Sequence, residues 1–198
     1  MRKINFSKIK LMTLTVTALS LLSGCAAVVV GGAATSAIVT ANDRRTTGTI
    51  IEDKSIQIKA MQAVSDVAGD DNNIHVSAVS YNNQVLLIGQ TPTHQIRAEI
   101  ISRVKNIEKV KKVHNEIVLS EPSTLLQRST DSWITTRIKS EMTVTKDFNP
   151  ARVKVVTENG IVYLMGIVKP LEEEIAVDIA RHVKGVKKVV KILEYDRT

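Results

Sequence analysis

Apolar residues recur along this chain with two alternating periods. Ile56, Ala60, Val64 and Val67 keep the three-to-four-residue spacing of a helix face, and Gly69 ends that run. Ile74–Tyr81 and Gln84–Ile88 are short β-prone runs around Asn82-Asn83, the signature of a hairpin. After Pro92-Thr93 a second helical stripe carries Ile96, Ile100 and Val104, and Val110–Leu119 reads as a closing strand. The order is helix, strand, strand, helix, strand.

The same order then repeats. Asp53, Ile56, Ala60 and Val64 correspond to Asp131, Ile134, Ile138 and Met142 at an offset of 78. Val76, Val79, Asn82, Val85, Leu87 and Gly89 correspond to Val153, Val156, Asn159, Val162, Leu164 and Gly166 at 77. Val104–Val110 corresponds to Val183–Val189 at 79. In the second copy Asn159-Gly160, the favoured two-residue turn, joins the hairpin strands. Its second helix opens with Glu172-Glu173-Glu174 and closes with Arg181, His182 and Lys184 before Gly185. That charge order suits the helix dipole, and the glycine suits a left-handed cap. The expected fold is α+β: two tandem αββαβ units, each a small three-stranded mixed sheet with two helices on one face. Units of about 65 residues are marginal alone, so packing of one against the other is expected.

What precedes the repeats has a different character. Arg2, Lys3, Lys8 and Lys10 lead into the apolar run Leu11–Leu22, followed by Leu22-Ser23-Gly24-Cys25. A basic start, a short apolar stretch and small residues form a secretory signal, and the four residues ending in Cys resemble a bacterial lipobox. That resemblance implies cleavage of residues 1–24, an S-diacylglycerol and an N-acyl group on Cys25, and no other cofactor. By resemblance to the sorting rules of such lipoproteins, Ala26 after the Cys, in place of an Asp, implies the outer membrane over retention in the inner one. The competing reading is an uncleaved membrane anchor, because Leu11–Ala41 carries no charge. Residues 25–50 then form the lipidated Cys and a tether, 51–119 the first domain, 120–130 a linker and 131–198 the second domain.

The leader also alters the charge. The full chain of 198 residues has 27 Lys+Arg and 20 Asp+Glu, a net +7. Without its first 24 residues, 23 basic side chains face 20 acidic ones, and the resulting +3 does not argue for nucleic acid. One Cys excludes a disulfide framework, and lipid on that Cys excludes thiol catalysis. His75, His94, His114 and His182 lack the paired spacing of a zinc helix, and Asp70-Asp71 lacks the further ligands of a calcium loop. No catalytic or metal constellation is expected, and Gly89 and Gly166, at the ends of hairpin strands, read as places for a bend or a close backbone approach.

Both hairpins end alike, in Val85-Leu86-Leu87-Ile88-Gly89 and Val162-Tyr163-Leu164-Met165-Gly166, and both units carry Val-Lys-x-[Ile/Val]-x-Lys-Val near their ends. These features resemble BON domains. With the lipobox and tether they resemble the outer-membrane dual-BON lipoprotein family, most closely along Asp131–Arg137 and Val156–Gly160. The resemblance implies a non-enzymatic protein anchored in the outer membrane and facing the periplasm; a monomer is expected. It implies binding of anionic phospholipid through the second domain, in support of envelope integrity and at division sites. The alternative is an adaptor for outer-membrane assembly proteins.

The residues themselves point to the first helix of the second unit. Asp131 or Ser132 reads as its N-cap, and Ile134, Ile138 and Met142 as its buried stripe. Trp133, the only Trp, lies about 100° around from that stripe. Its row continues through Arg137, Ser140 and Val144, with Lys139 nearby. An amphipathic aromatic beside cations suits the headgroup level of a bilayer. The bland alternative is that Trp133 closes the core edge with Arg137 stacked on it. The clusters Lys109/Lys111/Lys112 and Lys184/Lys187/Lys188/Lys191 read either as solvated protection of sheet edges or as phosphate-facing groups.

Overall fold

The computed structural model describes residues 43–196. Cys25, the cleavage point and most of the tether lie outside them. In chain order the elements are α1 (Thr47–Ala68), β1 (His75–Tyr81), β2 (Gln84–Thr91), α2 (His94–Lys105) and β3 (Lys112–Leu119). The second copy has α3 (Leu125–Val144), a 3₁₀ turn (Pro150–Arg152), β4 (Val153–Glu158), β5 (Ile161–Val168), α4 (Pro170–His182) and β6 (Lys188–Tyr195).

Each hairpin is antiparallel and each closing strand joins parallel, giving the mixed orders β1-β2-β3 and β4-β5-β6. Asn82-Asn83 and Asn159-Gly160 take positive φ at both central turn positions, the type I′ geometry that matches strand twist. Gly89 and Gly166 stand where a side chain would overlap the facing carbonyl oxygens of His75 and Arg152, so close approach of the backbones requires glycine.

Alternation along the strands divides the burial. Val76, Ala78, Val85 and Leu87 face Ile56, Ala60, Val64, Ile100 and Val104 of α1 and α2. In the second copy Val153, Val155, Val162 and Leu164 face Ile134, Ile138, Met142, Ala176 and Ala180 of α3 and α4. The opposite sheet faces meet each other: Val79, Tyr81, Leu86 and Ile88 pack on Tyr163, Met165 and Ile192. The layers therefore run helices, sheet, sheet, helices.

Three boundaries differ from the sequence expectation. Thr46 caps α1 through a 3.1 Å bond from the Thr49 N–H, so this helix begins inside the stretch read as tether. The segment between the copies is only Ser120–Thr124, because α3 starts at Leu125 inside the expected linker. Neither Asp131 nor Ser132 is the N-cap. Thr124 is, in a reciprocal box with Gln127. Asp131 is buried within the helix and accepts the N–H groups of Asn159 and Gly160, each at 2.8 Å. At its end, α4 stops at His182 with Val183 extended, and Gly185 (φ +95°) packs on Ile134.

Candidate functional site

The outer face of α3 is formed by a helix whose inner face is satisfied. Ile134, Ile138 and Met142 are fully buried against the sheet, and among the described residues the opposite row is exposed. On that row Leu126 is 78% exposed, Trp133 52% and Val144 83%. At 100° per residue the three fall within about 20° of one line along the helix. Ser140 lies beside them, exposed. Arg137 extends along the helix to Glu141 (Nε–Oε1 2.8 Å). Trp133 thus does not close the core edge under a stacked arginine. Among the described residues the cation–ring contact is Arg45 over Tyr81, at 3.8 Å.

The Arg137–Glu141 pair is exposed, where such a pair is worth at most about 1 kcal/mol. A single exposed contact of this kind does not lock the guanidinium in place. The structure does not bring Lys139 to Trp133: it lies about 120° away around the helix, on the side of β4. Leu125 and Leu126, in the stretch that reads as linker, belong to the first turn of α3. The signal for them was present in Thr124-x-x-Gln127, a capping box just before an apolar pair.

The lysine clusters divide. Lys112 begins β3 and Lys188 and Lys191 lie on β6, the outer parallel strand of each sheet, where lysine blunts a free edge. Lys109 pairs with Glu52 and Lys191 with Glu173 (2.5 and 2.7 Å).

A second set of charges joins the two copies at their shared edge. Arg44 bonds Glu172, the Ile167 carbonyl and Asp196, while Arg45 bonds Asp43 and Asp53. Arg152 also pairs with Glu172. Burial opposes ionisation of Glu172, but hydrogen bonds from Arg44, the Lys169 N–H and Arg152 bring its carboxyl down to about 2. The triple-Glu start of α4 therefore does more than complement a helix dipole. Burial pushes the His75 and His114 imidazoles below their ordinary value, with Arg128 adding to the effect at His75 and Lys112 at His114. Among the described residues no group of three His, Cys, Asp or Glu side chains is placed to hold a metal ion, and no helix is long and apolar enough to cross a membrane.

Residues 52–121 and 130–197 each match the BON domain family. The chain belongs to the BON-domain family. This dual-BON chain is 41% identical over 189 residues to outer membrane lipoprotein DolP of Haemophilus influenzae, across 96% of this chain and 97% of that one. It is 37% identical to a 21 kDa hemolysin of Actinobacillus pleuropneumoniae, over 77% and 79% of the two chains. Among solved structures, CdsD, a structural protein of the type III secretion system of Chlamydia trachomatis, is similar with a TM-score of 0.31 and 13% identity. That match covers 69% of this chain and 91% of the other. The dual-BON chain is an outer-membrane lipoprotein.

Proposed function

We propose that this BON lipoprotein binds anionic phospholipid through the outer face of α3, with Leu126, Trp133 and Val144 entering the interface and Arg137 and Ser140 meeting headgroups. Lys139 adds charge at the flank of that face. Diacylglycerol and an N-acyl chain on Cys25 hold the chain at the periplasmic face of the outer membrane. A weak second contact then suffices, because tethering makes it intramolecular. The role is non-catalytic: it supports outer-membrane integrity, at division sites, without nucleic acid, as a monomer.

The observation that supports this reading is the half-exposed Trp133 in an apolar row left open among the described residues. Indole prefers the headgroup level, with its ring buried and its N–H wet. Because Trp133 is the single tryptophan, its fluorescence reports this face alone. The mature lipidated chain in nanodiscs containing phosphatidylglycerol should show blue-shifted emission, quenched by lipids brominated near the headgroup. In phosphatidylcholine nanodiscs the emission should remain that of a wet indole. Water-exposed emission in both would overturn the reading.

One observation favours a second reading, an adaptor for envelope assembly proteins. An open groove of about 830 Å³ runs along α4 and β6, lined by Leu171, Ile175, Ile179 and Tyr195. Stoichiometric cross-linking of one envelope protein to this groove, with Trp133 wet in every lipid, would favour the adaptor.

A further inference from the structure

The outer parallel strands of the two sheets, β3 and β6, hold equivalent places but are finished differently. Among the described residues neither has a strand beyond it. In a parallel ladder the N–H and C=O of one residue point the same way, and those of the next residue point back. The Ser120 N–H reaches the Thr91 carbonyl and the Asp196 N–H the Val168 carbonyl (3.2 and 3.0 Å), so even-numbered residues of both strands turn inward. Odd-numbered residues turn their backbone groups to the open side. In β3 Ile117 is one of these; in β6 they are Lys191, Leu193 and Tyr195.

In the first copy side chains close that side. Asn115 Oδ1 accepts the Ile117 N–H at 3.2 Å, and Arg97 of α2 donates to the Ile117 carbonyl at 3.4 Å. Ile117 stands beside Gly89 and Leu193 beside Gly166, so Leu193 is the counterpart of Ile117. The place of Asn115, two residues earlier, is held by Lys191. The place of Arg97, three residues before the buried Ile100, is held by Glu173, three before the buried Ala176. Lys191 and Glu173 bond each other at 2.7 Å. Among the described residues no side chain bonds the Leu193 N–H or C=O.

The groove along α4 runs beside this bare edge. Leu171, Ile175 and Ile179 follow one another at i, i+4 and i+8 on its helix wall, and Lys191 and Tyr195 stand on its strand wall. Leu171 is 66% exposed and Tyr195 58%. The charges in the groove do not balance. Glu173 is taken by Lys191 and Asp178 by Arg181 (2.7 and 2.5 Å), whereas Glu174, exposed on the helix wall, belongs to no ion pair among the described residues. One negative charge is left for a cation brought from outside.

We propose that β6 accepts a fourth strand, an extended segment of a partner protein with apolar side chains at alternate positions and a Lys or Arg among them. Its backbone pairs with Lys191, Leu193 and Tyr195, which gives affinity, and its apolar side chains enter the groove against Leu171, Ile175 and Ile179, which gives specificity. Its cation meets Glu174. Strand addition rests on the groove of the adaptor reading and names the form its partner takes; it leaves the α3 face free for a bilayer. The edge of β3, closed by Asn115 and Arg97, takes no such segment.

The test uses the mature lipidated chain in phosphatidylcholine nanodiscs. A displayed library of random peptides about nine residues long, enough to span β6, is selected on it. Counter-selection uses the double variant Glu173→Arg/Lys191→Asn, which copies onto β6 the side chains that close β3. Peptides kept by the parent and not by the double variant should alternate apolar residues and carry a Lys or Arg. One of them, synthesised, should shift the amide resonances of Lys191, Leu193 and Tyr195 and slow their hydrogen exchange about tenfold. Its affinity should fall about tenfold in Leu171→Glu. That variant changes an exposed position in the first turn of α4, so it reports even if the double variant disturbs β6. Equal recovery of peptides by parent and double variant overturns strand addition. So do shifts confined to α4 with the three β6 amides unmoved, an outcome that leaves a groove partner, and with it the adaptor reading, in place. Concentration-dependent shifts of the same amides without peptide, lost in the double variant, would assign the edge to a second copy of this chain and overturn a foreign segment as its occupant.

Discussion

Asp53 and Asp131 stand at equivalent positions and perform the same task, each accepting two N–H groups of its own hairpin turn. The first copy adds Arg45, which neutralises Asp53 and lies over Tyr81. Glu172 has no such counterpart and owes its low pKa to what surrounds it. Its carboxyl sits at about 2 when folded, against an ordinary 4.5. Stability from this group is therefore fully present above about pH 4.5 and is lost as pH falls toward 2. Discounted for solvent screening, the loss is about 1–2 kcal/mol. Urea unfolding of Glu172→Gln should show a flatter acid limb across that window than the parent chain. Identical limbs would mean that Arg44 and Arg152 do not hold the carboxylate in solution.

Among the described residues the periodic runs mark every α-helix and strand, though not the 3₁₀ turn Pro150–Arg152, because burial of one face imposes its period on the chain. The ends were less legible. Asp131 reads locally as an N-cap, and only the hairpin 28 residues later explains why a buried carboxylate lies mid-helix. Leu125 and Leu126 were overlooked because exposed apolar residues leave no periodic trace, although Thr124 and Gln127 mark the true start. Trp133 was legible as a residue off the stripe, but its exposure was not, since a row opposite the core and one at its margin look alike in sequence. The two assignments of Asp131 differ in consequence. Thr124→Ala should cost about 1 kcal/mol, as loss of a cap does. Asp131→Ala strands two turn N–H groups and should cost about 2–4 kcal/mol, with faster hydrogen exchange at Asn159 and Gly160. Equal costs for the two variants would contradict the hairpin role.

At the scale of the whole fold, the sheet faces turned away from the helices pack on each other. Leu86 is fully buried and Ile88, Tyr163 and Met165 nearly so in this shared layer. Polar links at its margin join the copies as well: Gln90 to Glu158 at 2.8 Å, and Gln84 and Asn82 to Glu194 at 2.6 and 2.9 Å. A unit of about 65 residues buries too little of its own surface to be robust alone, so the layer between the sheets should couple their unfolding. Leu86→Ala removes a fully buried side chain and should cost about 2–5 kcal/mol. The informative quantity is where that loss is felt. If the sheets unfold as one body, calorimetry of the variant gives a single transition at lower temperature, and amide protection in β4 and β5 falls together with that in β1 and β2. If the copies were independent, the first would melt early while the second kept its parent Tm and its protected amides. The packing of Tyr163, Met165 and Ile192 against the first sheet favours the single transition. Ile88→Asp, which places a charge in the same layer without touching either helix-facing core, should lower the stability of both copies together.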